Sequence, residues 1–389
     1  MRILITGARA PACLEWARLL RKAGCAVAAA DSAAVPLTRF SACIERWFRL
    51  PAAVQDVNAY GEALLAAARG FRADLILPTC EEAFYIAHQK RRLERQCRVF
   101  VAEFDLMARL HDKAAFAELS HGLPISTPPT VRLETVEAVM QQAACARDLV
   151  FKPVYSRFAA STLIRPEAEA LRAMRPSAEQ PWIAQQYVAG RELCSYSLLQ
   201  EGRLLAHACY HPKYRVGQGS GIYLEPVESD PIRSFVHAFG QATGYTGQAG
   251  FDFIESVQGA LTVLECNPRA TSGIHLFPAQ FLELASQLSQ ERPAQEMVVD
   301  AKGSPRRVSV AMALFAAPRL RSLSALREFG RDWRRASDIL SAPQDRGPVL
   351  AQILGLGEVF YQAIRLGRPA LSATTYDIEW NGQSLGAQP

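Results

Sequence analysis

Phe251-Asp252-Phe253-Ile254-Glu255, followed by Leu261-Thr262-Val263-Leu264-Glu265-Cys266-Asn267-Pro268-Arg269, decides how this chain is read. The two runs are strand-like, and Gln258-Gly259 between them is a turn signal, so they form the arms of a hairpin. Alternation puts Asp252 on one face of the first arm, with Phe251 and Phe253 on the other. Glu265 and Asn267, two positions apart, share one face of the second arm. A short turn can bring Asp252 opposite that pair, which gathers oxygen ligands only. Hard Mg²⁺ selects such a set and keeps further positions for water and phosphate oxygens. Arg269, one step beyond, is suited to stabilising charge on a transferring phosphoryl group. Two carboxylates on a hairpin can equally be solvated cross-strand neighbours, so the flanking sequence has to decide.

Upstream, Leu149-Val150-Phe151-Lys152-Pro153 is a strand that ends in a lysine, and His111-Asp112-Lys113 opens a helix running to about His121. Residues 182–188 form another apolar strand, followed by Ala189-Gly190-Arg191 and Glu192. Residues 195–199 and 204–210 read as a hairpin, 217–221 as a glycine-rich loop and 231–244 as an amphipathic helix. The front of the chain differs. Residues 2–6 are an apolar strand ending at Gly7, a helix follows, and residues 26–30 lead to Asp31, which makes a β–α–β unit. The first turn, Gly7-Ala8-Arg9-Ala10-Pro11, has one glycine where a dinucleotide fingerprint has three, so NAD binding is not expected. A strand over 74–78 delivers Thr79-Cys80-Glu81-Glu82. Carboxylates there sit where open α/β sheets bind ligands, or simply match the dipole of the next helix.

Composition narrows the function. The chain has 43 Lys and Arg against 38 Asp and Glu, a mild excess with no basic stripe of the kind nucleic-acid binding needs. Nine scattered cysteines, none arranged as CxxC, argue against a disulfide framework and a structural zinc site. The opening MRILITG reads as a strand and not as a signal peptide, and no uncharged apolar run reaches the ~18 residues of a membrane span. A cytoplasmic chain is the expectation. Toward the end, residues 306–315 look like a strand and 318–336 like a basic amphipathic helix. Residues 348–366 are strongly apolar and are expected to pack into a core, although a membrane-surface role for both helices is a further reading.

With those residues in place, the chain resembles the ATP-grasp superfamily over roughly residues 110–280. The acidic residue on a hairpin (Asp252), the E-x-N-P-R element (Glu265 to Arg269) and two lysines about forty residues apart (Lys113 and Lys152) occur in the family's order. The resemblance implies ATP contacts from Lys113, Lys152, Ser156 and Arg157, and an adenine linker at Gln185, Gln186, Tyr187 and Val188. It also implies a ribose acid at Glu192, metal ligands at Asp252, Glu265 and Asn267, and Arg269 on the γ-phosphate and acyl phosphate. Glu81, Glu82, His211, Lys213, Arg215, Thr271 and Ser272 become candidates for substrate, and His275 for a general base. The loop 154–161 departs from the family pattern in having no glycine.

The implied architecture is α/β and α+β: a Rossmann-like pre-ATP-grasp domain (1–106), a two-lobed ATP-grasp domain (107–297, lid lobe about 114–188) and a C-terminal module (298–389). The front domain and the ECNPR segment look most like short relatives of the carbamoyl-phosphate synthase large subunit. The implied activity is ATP-dependent activation of a small carboxylate as an acyl phosphate for attack by an amine or other nucleophile, with Mg²⁺ (or Mn²⁺) as cofactor. The alternatives are a nucleotide-binding regulatory protein without turnover, and a carboxylate or carbamate kinase. A homodimer is compatible with this reading.

Overall fold

The computed structural model describes residues 1–157, 161–217, 219, 221–277, 288, 296–299 and 302–388. Its first sheet is parallel: β1 (Arg2–Thr6), β2 (Ala26–Asp31), β3 (Arg46–Arg49), β4 (Leu75–Leu77) and β5 (Arg98–Val99), in the order β3-β2-β1-β4-β5. β1 and β4 are short apolar runs because both their faces are buried, with α1 (Pro11–Lys22) and α2 (Val57–Phe71) among the covering helices. The strand order reverses at β1, so the ends of β1 and β4 border a crevice. Gly7 (φ 73°) turns there, and a Cβ on it would stand 2.8 Å from both Cys80 Cβ and Glu82 Oε1. The glycine therefore seats the first turn against the β4 turn, where a side chain would not fit.

Two helices, α3 (Phe104–His111) and α4 (Lys113–Ser120), lead to the lid. Asp112 ends the first and caps the second by accepting the N–H groups of Ala114 and Ala115. The lid is a four-stranded antiparallel sheet of β6 (Thr130–Leu133), β7 (Leu149–Pro153), β8 (Leu163–Ile164) and β9 (Trp182–Gln186), in the order β6-β9-β7-β8. It has a small core of its own, which includes Leu133, Phe151, Leu171 and Ala184.

The large sheet follows: β10 (Arg191–Gln200), β11 (Arg203–Arg215), β12 (Gly221–Val227), β13 (Gly247–Glu255), β14 (Leu261–Asn267), β15 (Met297–Val298), β16 (Arg306–Arg307) and β17 (Ser337–Asp338). The order is β14-β13-β10-β11-β12-β16-β17, with β15 beside β11. On one face, α5 (Asp230–Thr243) sets Phe235 and Phe239 edge-on against Phe251 at 5.2 and 5.0 Å. That buries the phenylalanine side of β13 and turns Asp252 toward the opposite face.

The C-terminal segment departs from expectation in three places. Only Arg306–Arg307 is strand; the chain then turns helical, because Met312 and Ala316 drop onto Ile222 and Tyr223 of β12 at helical spacing. The basic helix is α6 (Leu323–Arg335), started by Ser322, whose hydroxyl accepts Ala325 N–H. The apolar helix α7 (Gly347–Leu366) is largely exposed and does not fill a core. By length and hydropathy it would reach across a membrane. After it, the tail returns over the front of the molecule, where Trp380 packs among Phe84, Phe104, His111 and Tyr155.

Candidate functional site

The free face of the large sheet carries one row of polar and aromatic groups set by strand register. Tyr210 of β11 lies opposite Cys194 of β10, Cys194 opposite Asp252 of β13, and Asp252 opposite Glu265 of β14. A bulge follows Asp252, and Asn267, opposite Gly250, donates its amide to Asp252 Oδ2 at 3.3 Å. This row floors a cleft of about 330 Å³ whose other wall is the lid, through Val150, Lys152, Ile164 and residues 185–188.

Charge in the cleft is arranged around Glu265. Lys152 Nζ stands 3.4 Å and Lys113 Nζ 3.6 Å from Glu265 Oε2. Lys113 also donates to the carbonyls of Val154 and Ser156 at 3.2 Å, which ties the start of α4 to the lid loop. Burial alone would raise the Glu265 carboxyl, but the two lysines outweigh it and hold it below its usual range. Burial and then the neighbouring Glu265 push Asp252 up, so the two carboxylates crowd each other. Burial depresses Lys113, only partly offset by Glu265.

These residues fit a divalent cation. The donors are two carboxylates and a carboxamide, all hard oxygens, and the raised Asp252 marks an electrostatic conflict that a cation would relieve. Among the described residues no cluster of three His, Cys, Asp or Glu forms a self-sufficient metal site. Mg²⁺ takes one or two carboxylates and completes its shell with phosphate oxygens and water.

A second buried network stands beside the first. Glu81, 2% exposed at the end of the β4 turn, accepts Arg269 Nε at 2.6 Å and is ion-paired with Arg157 Nε at 2.6 Å. Arg269 reaches on to Asn267 Oδ1 at 3.3 Å. Arg157, in the lid loop, is held from behind by Trp380 O at 2.7 Å and Asn381 Oδ1 at 2.8 Å. Burial would lift Glu81, but Arg157 and Arg269 overcome it and hold its carboxyl at about 2. Four parts of the chain far apart in sequence thereby meet at and behind the cleft.

No family model and no curated protein matches the sequence. Solved structures do match the fold. The phosphoribosylamine–glycine ligase from Thermotoga maritima has a TM-score of 0.58 over 78% of both chains at 15% identity. The L-amino acid ligase from Bacillus licheniformis has a TM-score of 0.56 over 70% of this chain and 68% of its own, also at 15% identity. The biotin carboxylase domain dimer of the 2-oxoglutarate carboxylase from Hydrogenobacter thermophilus, solved with MgADP, ADP and bicarbonate, has a TM-score of 0.58 over 78% and 73% at 14% identity. These are ATP-grasp enzymes. The chain has the ATP-grasp fold.

On the ATP-grasp frame the residues singled out from sequence separate into two groups. Lys152, Ser156, Arg157, Gln185, Gln186, Tyr187, Val188, Glu192, Arg215, Asp252, Glu265, Asn267, Arg269, Thr271 and Ser272 all line the cleft. Lys113 reaches it from beneath through Glu265. Gln185 spends its amide on Thr130 Oγ1 at 2.9 Å, and Glu192 is ion-paired with Arg215. Of the glycine-free loop 154–161, residues 158–160 lie outside the described residues, as do 218 and 220 of the 217–221 loop.

Five further candidates do not line it, and of these Glu81 stands behind the cleft's Arg157 and Arg269. His275 is 3% exposed and its Nδ1 bonds Glu15 of α1 at 2.9 Å, so it joins the sheet to the front domain instead of facing the cleft. His211 and Lys213 belong to β11, which continues to Arg215 in place of the expected hairpin end. His211 Nδ1 donates to Glu192 O at 2.8 Å, and Lys213 pairs with Glu328 and Asp332 at 2.6 and 2.8 Å. Glu82 turns inward beneath Gly7, accepting Thr6 Oγ1 at 2.7 Å, and burial raises its carboxyl. Adjacent acids thus have different duties: Glu81 pairs with two arginines of the cleft, and Glu82 closes the Gly7 turn. Sequence reasoning missed Cys194 and Tyr210 in the floor and the tail residues behind Arg157. Register with Asp252 would have found the first two; no local signal marks the tail.

Proposed function

We propose that this chain is an ATP-dependent ligase that activates a small carboxylate and passes its acyl group to an amine or a similar nucleophile. The observation that carries the reading is the placement of Asp252, Glu265 and Asn267 on adjacent strands, facing Lys152 across the cleft between lid and large sheet. Glu265 neutralises Lys113 and Lys152. Those lysines would serve the phosphate oxygens of a bound nucleotide, and Asp252, Glu265 and Asn267 would hold Mg²⁺. The cation would supply charge neutralisation at the phosphates.

The chain's own groups then position and stabilise. Val150, Ile164 and the 185–188 segment give the base an apolar slot, and Glu192 stands at the sugar. Arg269, fixed by Glu81, lies beside Asn267 to receive charge on the transferred phosphoryl group. A substrate carboxylate oxygen attacks the γ-phosphorus as the bond to ADP breaks. The nucleophile then attacks the acyl carbon, phosphate leaves, and an amine nucleophile gives up one proton. Thr271 and Ser272, directly after Arg269 in the chain, bring hydroxyls to the acid, and Arg215, ion-paired with Glu192, adds positive charge to the same cleft.

The test is ADP release with Mg·ATP over pooled amino acids and small carboxylates with amine acceptors. Turnover that needs one acid pool and one acceptor pool, and falls by about 10²-fold or more in Glu265→Ala, supports a ligase. ADP formed with the acid alone, and no acceptor dependence, identifies a carboxylate kinase instead. Tight Mg-dependent ATP binding with no turnover in any pool points to a nucleotide-sensing protein, and failure to bind ATP overturns the reading.

A further inference from the structure

The helix α7 is turned inside out. Against the protein it sets Pro348, Ala351, Gly355 and Glu358, small or polar groups. Glu358 accepts the N–H groups of Ala34 and Val35 at 2.8 Å, and Gly355 sits close over Val35 O. The opposite face presents Leu350 (71% exposed), Ile353, Leu354, Phe360, Tyr361 and Ile364 (84% exposed). A surface helix ordinarily does the reverse. These six side chains form an apolar patch along one side of the helix from residue 350 to 364, roughly 21 Å at 1.5 Å per residue.

The charge around the patch is of one sign. Arg346 precedes the helix, Arg365 and Arg368 end it, and all three are exposed. No acidic residue lies on the outward face, because the helix's only acid, Glu358, is engaged beneath it. The preceding helix α6 also exposes Leu323 and Leu326 among exposed Arg327, Arg331 and Arg334, with one exposed acid, Glu328, ion-paired with Lys213. Residues 302–389 hold 12 Lys and Arg against 7 Asp and Glu, which equals the net charge of the whole chain, +5.

We propose that α7 docks this protein on an anionic lipid surface, lying in the plane of the interface with its apolar face among the acyl chains and its terminal arginines at the headgroups. A second copy of the chain suits the patch less well. A two-fold interface would bring cationic ends to a patch that offers no carboxylate to pair with them. A membrane-spanning arrangement would strip Glu358 from the backbone of residues 34 and 35. An in-plane helix keeps that contact and satisfies both the apolar face and the arginines.

The experiment is flotation of the full-length protein with vesicles of phosphatidylcholine plus phosphatidylglycerol, and with phosphatidylcholine alone. Partitioning to the anionic vesicles is expected, weakening with salt. Ile353→Asp with Phe360→Asp should lower it on the order of a hundredfold, and Arg346→Gln with Arg365→Gln and Arg368→Gln by a similar factor. These side chains are exposed, so an unchanged circular dichroism spectrum and melting temperature would exclude misfolding. Equal binding to both vesicle types would overturn the choice of an anionic surface. No flotation, together with a dimer in solution that the double aspartate variant converts to monomer, would assign the face to a second copy and overturn the proposal. ATP turnover does not enter either readout.

Discussion

Glu81→Gln removes the one negative charge shared by two buried guanidiniums while keeping the side chain's volume. The carboxyl is held at about 2 against an ordinary value of 4.5. That difference corresponds to about 3 kcal/mol of folding stability at neutral pH. Breaking a buried pair from one side typically costs about 3–5 kcal/mol; here Arg269 loses its ion pair and Arg157 keeps only the longer contact to Glu379 at 3.8 Å. For a 389-residue chain melting cooperatively, 3 kcal/mol is about 4 °C in Tm. The sign follows from the depressed folded value. The contribution is complete above the unfolded carboxyl's range and is lost as pH falls toward 2, so by pH 3 roughly half remains. The assay is thermal unfolding of both proteins by near-ultraviolet circular dichroism from pH 7 downward. A Tm difference of about 4 °C at pH 7 that shrinks on acidification is expected. A difference below 1 °C at pH 7, or one independent of pH, would refute the claim that Glu81 is the charged centre of the network.

Three further outcomes follow from the geometry. Lys113→Met replaces a buried ammonium whose charge burial already disfavours, and Lys152 still pairs with Glu265. Nucleotide affinity should fall by about tenfold or more in calorimetric titration with no loss of Tm; unchanged affinity would remove Lys113 from the phosphates. Trp380→Ala empties the aromatic cluster that carries the carbonyl holding Arg157. It should cost about 3–5 kcal/mol of stability and raise KM for ATP; a lower Tm with unchanged KM would make the tail a staple only. His275→Asn should lose about 1–3 kcal/mol and leave kcat within about twofold, because the ring bonds Glu15 and not the cleft; a large kcat loss at constant Tm would restore a catalytic role.

The residues legible in advance share one property: backbone periodicity fixes their neighbours. The period of a strand puts Asp252, Glu265 and Asn267 on one surface whatever else the chain does, and the aspartate before Lys113 marks a helix start by its capping chemistry. The misread residues depend on what packs behind them. Glu81 and Glu82 look alike in sequence and are equally buried, but the first pairs with Arg157 and Arg269 while the second closes under Gly7 onto Thr6. His275 follows the Arg269 segment directly, yet Glu15, 260 positions away, claims its ring.

Local pattern and spacing were enough for the parallel front sheet, the oxygen cluster on the hairpin, and Lys113 at a helix start with Lys152 at a strand end. That Arg157 is anchored by Glu81 and the tail, and that Lys113 meets Glu265, came from tertiary contacts. So did the outward turn of the apolar side of α7. The physical reason is the same in each case. Local pattern fixes which side chains share a face, whereas burial and charge pairing are settled by segments that meet only after the chain has closed on itself.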